Sequence, residues 1–124
     1  MQVPVNINGE EILIDEMIQE IIPILNKLGY KTVFSCEGHI VLNEKGDVEE
    51  RHIPYIAFDK SVEIEELQKL LQPSFVFEFD NGIWMNFNKC LQYDDVFEFN
   101  KSKIELWKNI KNKLVELENQ TKRS

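Results

Sequence analysis

Two runs of alternating large apolar residues, Phe75, Phe77, Phe79 and Ile83, Met85, Phe87, flank the tripeptide Asp80-Asn81-Gly82. Alternation with period two puts each run on one side of a strand, and Asn-Gly accepts the positive φ angles of a tight hairpin turn. A hairpin with one apolar face is not stable alone in water, so other elements must cover it. Three segments with helical spacing can do so. Ile18, Ile21, Ile22, Leu25 and Leu28 follow Asp15, an N-cap residue type, and stop at Gly29. Ile64, Leu67, Leu70 and Leu71 lie between Ser61, a second cap, and Pro73. Ile104, Trp107, Ile110, Leu114 and Leu117 mark the third. Pro23 falls inside the first pattern and predicts a kink, because it removes a backbone donor and crowds the preceding turn.

The remaining strands are shorter. Val3–Ile7 and Glu10–Ile14 flank Asn8-Gly9, which predicts either a short hairpin, with Pro4 confining the first strand to an edge, or a single strand. Lys31–Cys36 reads as a strand that turns through Glu37-Gly38, with Ile40–Leu42 returning. The polar run NEKGDVEER predicts a surface loop, and HIPYIAFD a central strand with Pro54 near its start. VFEF at 96–99 predicts one more short strand. The order implies an α+β fold with helices on one face of an antiparallel or mixed sheet. It matches the ferredoxin-like βαββαβ pattern with a hairpin extension and a C-terminal helix. Residues 1–118 form one domain in this reading, and 119–124 a frayed polar tail.

Charge narrows the partners. Fourteen basic and 22 acidic residues among 124 give a net charge of −8. That balance disfavours a phosphate backbone as ligand, since such binding needs clustered Lys and Arg. Lys101, Lys103, Lys108, Lys111 and Lys113 form the best candidate basic stripe, and a solvated helix face is its ordinary meaning. Alternating phenylalanines stack bases in some RNA-binding sheets, yet no basic residue lies between Gln72 and Lys89, so a packed core is the better reading. Trp84 alternates away from Ile83 and Met85, which offers a patch for a protein partner or a homodimer. The start MQVPVNINGEE has no basic region followed by an apolar run, and no segment is apolar enough to span a bilayer. A cytoplasmic protein with free thiols, and no membrane partner, is the expectation.

Chemistry concentrates at Cys36-Glu37-Gly38-His39. A thiol and an imidazole three residues apart across a turn can form half of a tetrahedral zinc site. His52 and Cys90 are the remaining Cys and His residues that can complete it. The same pair can act as an activated nucleophile, because an imidazole favours the thiolate. Against both stands the plain reading of a buried cysteine beside a turn glycine. The acidic runs Glu49-Glu50, Glu63-Glu65-Glu66 and Asp94-Asp95 read as solvated surface. No GxxxxGK, GxGxxG or HExxH pattern is present to signal nucleotide or protease chemistry.

The segment LNKLGYKTVFSCEGH, followed by PYIAF, resembles small uncharacterised proteins of Gram-positive bacteria and their phages that carry GY-x-T-x-x-S-C-x-G-H. The resemblance spans residues 25–58 and implies a shared feature at Ser35, Cys36, Gly38 and His39. It brings no activity with it. A more distant likeness is to the wybutosine-synthesis methyltransferase family, whose strand turn carries a serine-cysteine-serine-glycine-arginine segment. Ser35, Cys36 and Gly38 match it, whereas Glu37 and His39 replace the serine and the arginine. This second likeness implies a similar turn architecture alone. The leading expectation is a small phage-related accessory protein that acts by binding a protein or small ligand, with Ser35–His39 as a recognition or structural feature. The alternatives are an enzyme or zinc-binding domain centred on Cys36 and His39, and an acidic nucleic-acid mimic.

Overall fold

The computed structural model describes residues 1–72, 75–79, 82–87 and 96–123. The chain forms β1 (Gln2–Ile7), β2 (Glu10–Asp15), a single 3-10 turn (Glu16–Ile18) and α1 (Ile21–Lys27). Then come β3 (Thr32–Cys36), β4 (His39–Leu42), β5 (Val48–His52) and β6 (Tyr55–Phe58). The last elements are α2 (Glu65–Leu71), β7 (Phe75–Phe79), β8 (Ile83–Phe87) and α3 (Val96–Arg123). The α+β class expected from the sequence is observed, and the strand pairs among the described residues are antiparallel.

The main sheet has the order β3-β6-β8-β7, and β1-β2 and β4-β5 form separate two-stranded ribbons. This differs from the ferredoxin-like order. That order needs the strand before α1 inside the main sheet, whereas β2 pairs with β1. A two-residue turn at Asn8-Gly9 brings β1 and β2 together locally, and the ribbon packs as a unit beside α1 and β3.

Registry sets the two faces of the main sheet. Ile56 lies opposite Met85, and Phe58 opposite Ile83, while Phe75 shares their face through β7. These residues join Ile18, Ile22, Leu25, Leu67, Trp107 and Leu114 in one buried cluster, so all three helices contribute to it. Burying each large apolar side chain of this kind contributes roughly 1.5–3 kcal/mol. The other face carries Phe34, Tyr55 and Trp84. The Phe34 and Trp84 rings lie 6.5 Å apart across Ala57, and Tyr55 and Trp84 lie 5.7 Å apart.

Several local expectations change for physical reasons. Pro23 does not kink a long helix; it sits in the first turn of a short one, where its missing N–H would have no intrahelical partner anyway. Asp15 makes no side-chain cap bond to the 3-10 turn that follows it. Ser61 does not cap α2, whose N-cap is Ile64; its N–H and hydroxyl bond Asp59 instead, at 2.9 and 2.6 Å. Half of the expected NEKGDVEER loop is strand β5, with the turn confined to 43–47. His52 accordingly ends β5 rather than opening β6, and Pro54 separates the two. VFEF is the first turn of α3, because Phe99 is 1% exposed and continues the buried stripe of Leu106, Trp107 and Ile110. The helix runs on to Arg123, through most of the expected polar tail. Pro73, expected to close α2, and Asp80-Asn81 of the predicted turn lie outside the described residues, although the β7–β8 pairing that the turn was expected to join is present. Among the described residues no helix is long and apolar enough to cross a membrane.

Candidate functional site

The turn between β3 and β4 is where four distant parts of the chain meet. Gly38 adopts φ +93°, a left-handed conformation that favours glycine. Glycine is required here for a second reason. A Cβ at this position would stand 2.5 Å from Cγ of Pro54. The proline that divides β5 from β6 therefore packs directly on the turn.

Three side chains then hold its backbone. The Glu37 N–H donates to Asp15 Oδ2 at 2.8 Å, which ties the end of β2 to the turn. The Trp107 indole N–H donates to the Glu37 carbonyl at 2.9 Å. Lys103 Nζ donates to the Gly38 carbonyl at 2.7 Å and reaches Glu37 Oε2 at 3.2 Å. The Lys103 and Glu37 side chains are only 9% and 12% exposed, so this ion pair is largely withdrawn from water. Lys103 thus leaves the proposed basic stripe. Lys111 pairs with Glu20, and Lys113 donates to the Leu70 carbonyl.

Asp15, Cys36 and His39 come together at this turn, and one ligand atom from each lies within 4.8 Å of the others. Cys36 Sγ and His39 Nε2 are 3.9 Å apart. A tetrahedral zinc with bonds of about 2.3 Å to sulfur and 2.0–2.1 Å to nitrogen sets these two atoms about 3.5 Å apart. A small side-chain adjustment closes that gap. Asp15 is buried, Cys36 half-buried and His39 exposed, so the cluster opens to solvent on the imidazole side.

The other sequence candidates are placed differently. His52 lies opposite His39 in the β4–β5 pair, with ring centroids 5.1 Å apart, but its Nε2 sits 3.0 Å from Glu50 Oε2. It neighbours the cluster without joining it. Ser35 pairs with Ile56 and Cys36 with Tyr55, so the two side chains leave β3 on opposite faces. Cys90 lies outside the described residues. Asp15, Lys103 and Trp107 escaped the sequence reading. Asp15 carried the signal of a helix cap, while Lys103 and Trp107 looked like ordinary polar and apolar positions of one amphipathic helix.

Electrostatics bear on the nucleophile reading. Burial pushes the Cys36 thiol above its ordinary range. The Gly38 backbone hydrogen bond and Lys103 oppose the shift, whereas the Asp15 and Glu37 carboxylates add to it. Tyr55, its register partner, is raised mainly by burial and further by Cys36 and Asp15. At neutral pH Cys36 is therefore a protonated thiol, which is a poor resting state for nucleophilic attack. A bound cation reverses this, because a coordinating thiol is deprotonated outright.

Compared with protein-family models, curated proteins and solved structures, the chain matches none.

Proposed function

We propose that this chain is a small binding protein whose ligand is a divalent transition-metal ion, zinc foremost, held by Asp15, Cys36 and His39. The observation that carries the proposal is the convergence of a carboxylate, a thiol and an imidazole, from β2, β3 and β4, within 4.8 Å. A mixed O, S, N donor set suits zinc, whereas calcium and magnesium prefer oxygen alone. Three protein ligands with one side open leave a fourth position for water or another molecule. That opening supports a second reading, in which the metal activates a bound molecule and the domain is an enzyme. The raised thiol counts against a metal-free cysteine nucleophile.

The sequence resemblance fits the same place, since Cys36, Gly38 and His39 belong to the shared GY-x-T-x-x-S-C-x-G-H segment and surround the cluster. In this proposal the domain is a cytoplasmic accessory protein of phage type, and a reducing compartment keeps Cys36 available as a ligand. A protein partner or second copy would meet the face bearing Phe34, which is 63% exposed.

The test is metal uptake by protein purified without an affinity tag. Elemental analysis should give about one zinc per chain, and Co(II) should produce thiolate-to-metal charge-transfer absorption. Both should disappear in Cys36→Ser and weaken in Asp15→Asn and His39→Ala. A wild-type chain that takes up neither ion from a micromolar solution rules the proposal out.

A further inference from the structure

The three proposed ligands are arranged through the two residues between Cys36 and His39. Ligands at positions i and i+3 can meet one ion only if the intervening torsions hold the turn. Here those torsions belong to Glu37 and Gly38, and α3 grips both. Trp107 bonds the Glu37 carbonyl, and Lys103 bonds the Gly38 carbonyl. The two side chains are four residues apart and so project from the same face of α3. The Glu37 N–H, in turn, orients the third ligand by donating to Asp15 Oδ2. Every proposed ligand is thus one covalent or hydrogen-bonded step from a residue that α3 holds.

Simple stabilisation does not explain this use of a lysine. A buried ion pair is a weak source of net stability compared with apolar residues of similar volume. What an apolar side chain at 103 would fail to do is fix the Gly38 carbonyl.

We infer that Lys103 and Trp107 are positioning residues of the metal site, and that metal occupancy and docking of α3 onto the turn are thermodynamically linked. The inference rests on the metal reading above. Linkage is reciprocal: whatever α3 contributes to metal affinity, the metal returns as tighter docking of α3.

Zinc titration and amide hydrogen exchange test it together. Zinc added to the wild type should slow exchange along α3 between Lys103 and Leu114, as well as in the turn. Lys103→Met and Trp107→Phe, measured where circular dichroism shows them folded, should each bind zinc about ten-fold more weakly or worse, as lost outer contacts to metal ligands do. Lys103→Arg should recover part of the loss. Ile110→Val, which loosens packing in α3 without touching the turn, should leave zinc affinity unchanged. A purely structural role would lower stability in all of these variants without separating their affinities. If Lys103→Met does not fold, the wild-type exchange and the Trp107→Phe and Lys103→Arg affinities decide. Unchanged exchange in α3, or wild-type affinity in both Lys103→Met and Trp107→Phe, overturns the inference. Failure of the wild type to bind zinc shows before any variant is made, and it removes the metal reading itself along with this linkage.

Discussion

The turns at Asn8-Gly9 and Glu37-Gly38 both place a glycine near φ +90°, and they share little else. At the first, Asn8 has φ 53°, the Gly9 N–H bonds Asn6 Oδ1 at 3.0 Å, and a Cβ on Gly9 would meet nothing within 4 Å. Everything that specifies it lies within four residues. At the second, Pro54 closes over the glycine, while Asp15, Lys103 and Trp107 bond the backbone from elsewhere. One turn serves to reverse the chain. The other is a junction, and the donor cluster sits on it. A site whose groups must keep sub-ångström relations gains from a turn that is specified many times over.

Four measurements test how firmly these regions are held. The largest effect belongs to Lys103→Met, which strands a nearly buried Glu37 carboxylate; urea unfolding should show a loss of about 3–5 kcal/mol. Lys69→Met, which cuts an exposed pair with Glu65, should stay within about 0.5 kcal/mol of wild type. Next, Gly38→Ala should cost roughly 2–4 kcal/mol by adding the clash with Pro54 to the positive-φ penalty. Gly9→Ala should cost only about 1–2 kcal/mol, because it meets the penalty alone. Equal losses at the two glycines would abolish the distinction drawn here.

The third measurement follows the Cys36 thiol. At pH 7 it should react with iodoacetamide more slowly than a free cysteine, and its rate should still be rising where a free thiol has levelled off. The stability effect has a definite sign. The folded chain keeps the thiol proton at pH values where the unfolded chain gives it up. Stability is therefore intact below the ordinary thiol range and declines as pH rises through that range to the raised value. The smallest effect concerns Asp59, whose carboxyl is held below its usual range chiefly by the Ser61 hydroxyl, then by the Ser61 N–H. Its contribution is present above the ordinary carboxyl pKa and fades as pH falls through the depressed one. Asp59→Asn should lower stability slightly at neutral pH, and the difference from wild type should vanish in acid, which flattens the acid limb of the stability–pH curve.

Legibility in the sequence followed the same division. The Asn8-Gly9 hairpin and the β7–β8 pair were readable because neighbouring residues decide them: turn chemistry and period-two alternation. Cys36, Gly38 and His39 stood out for the same reason, being close in sequence. Asp15 did not, since a carboxylate ahead of an apolar helical pattern looks like a cap, and only the tertiary fold aims it at Glu37 instead. Lys103 was hidden among five other lysines of α3, and nothing local marks the one that turns inward. The VFEF segment was misread because alternation over four residues suits a strand and a helix start equally. Phe99 joins a helical stripe only when residues 106–114 are counted with it. The place of β2 outside the main sheet was also illegible, because strand order depends on which edges meet.

The bonds that α3 makes to the turn have a further consequence, for the order of events during synthesis. The contacts Lys103–Gly38 and Trp107–Glu37 span 65 and 70 residues. Domains begin to form as they emerge from the ribosome, at roughly 5–20 residues per second. Cys36 and His39 therefore leave the ribosome several seconds before their turn can be locked. During that interval the nascent chain exposes a thiol and an imidazole on an unclamped loop. The grip on the turn is complete only after residues 103–107 have emerged, so the segment richest in chemistry is made well before its geometry is fixed.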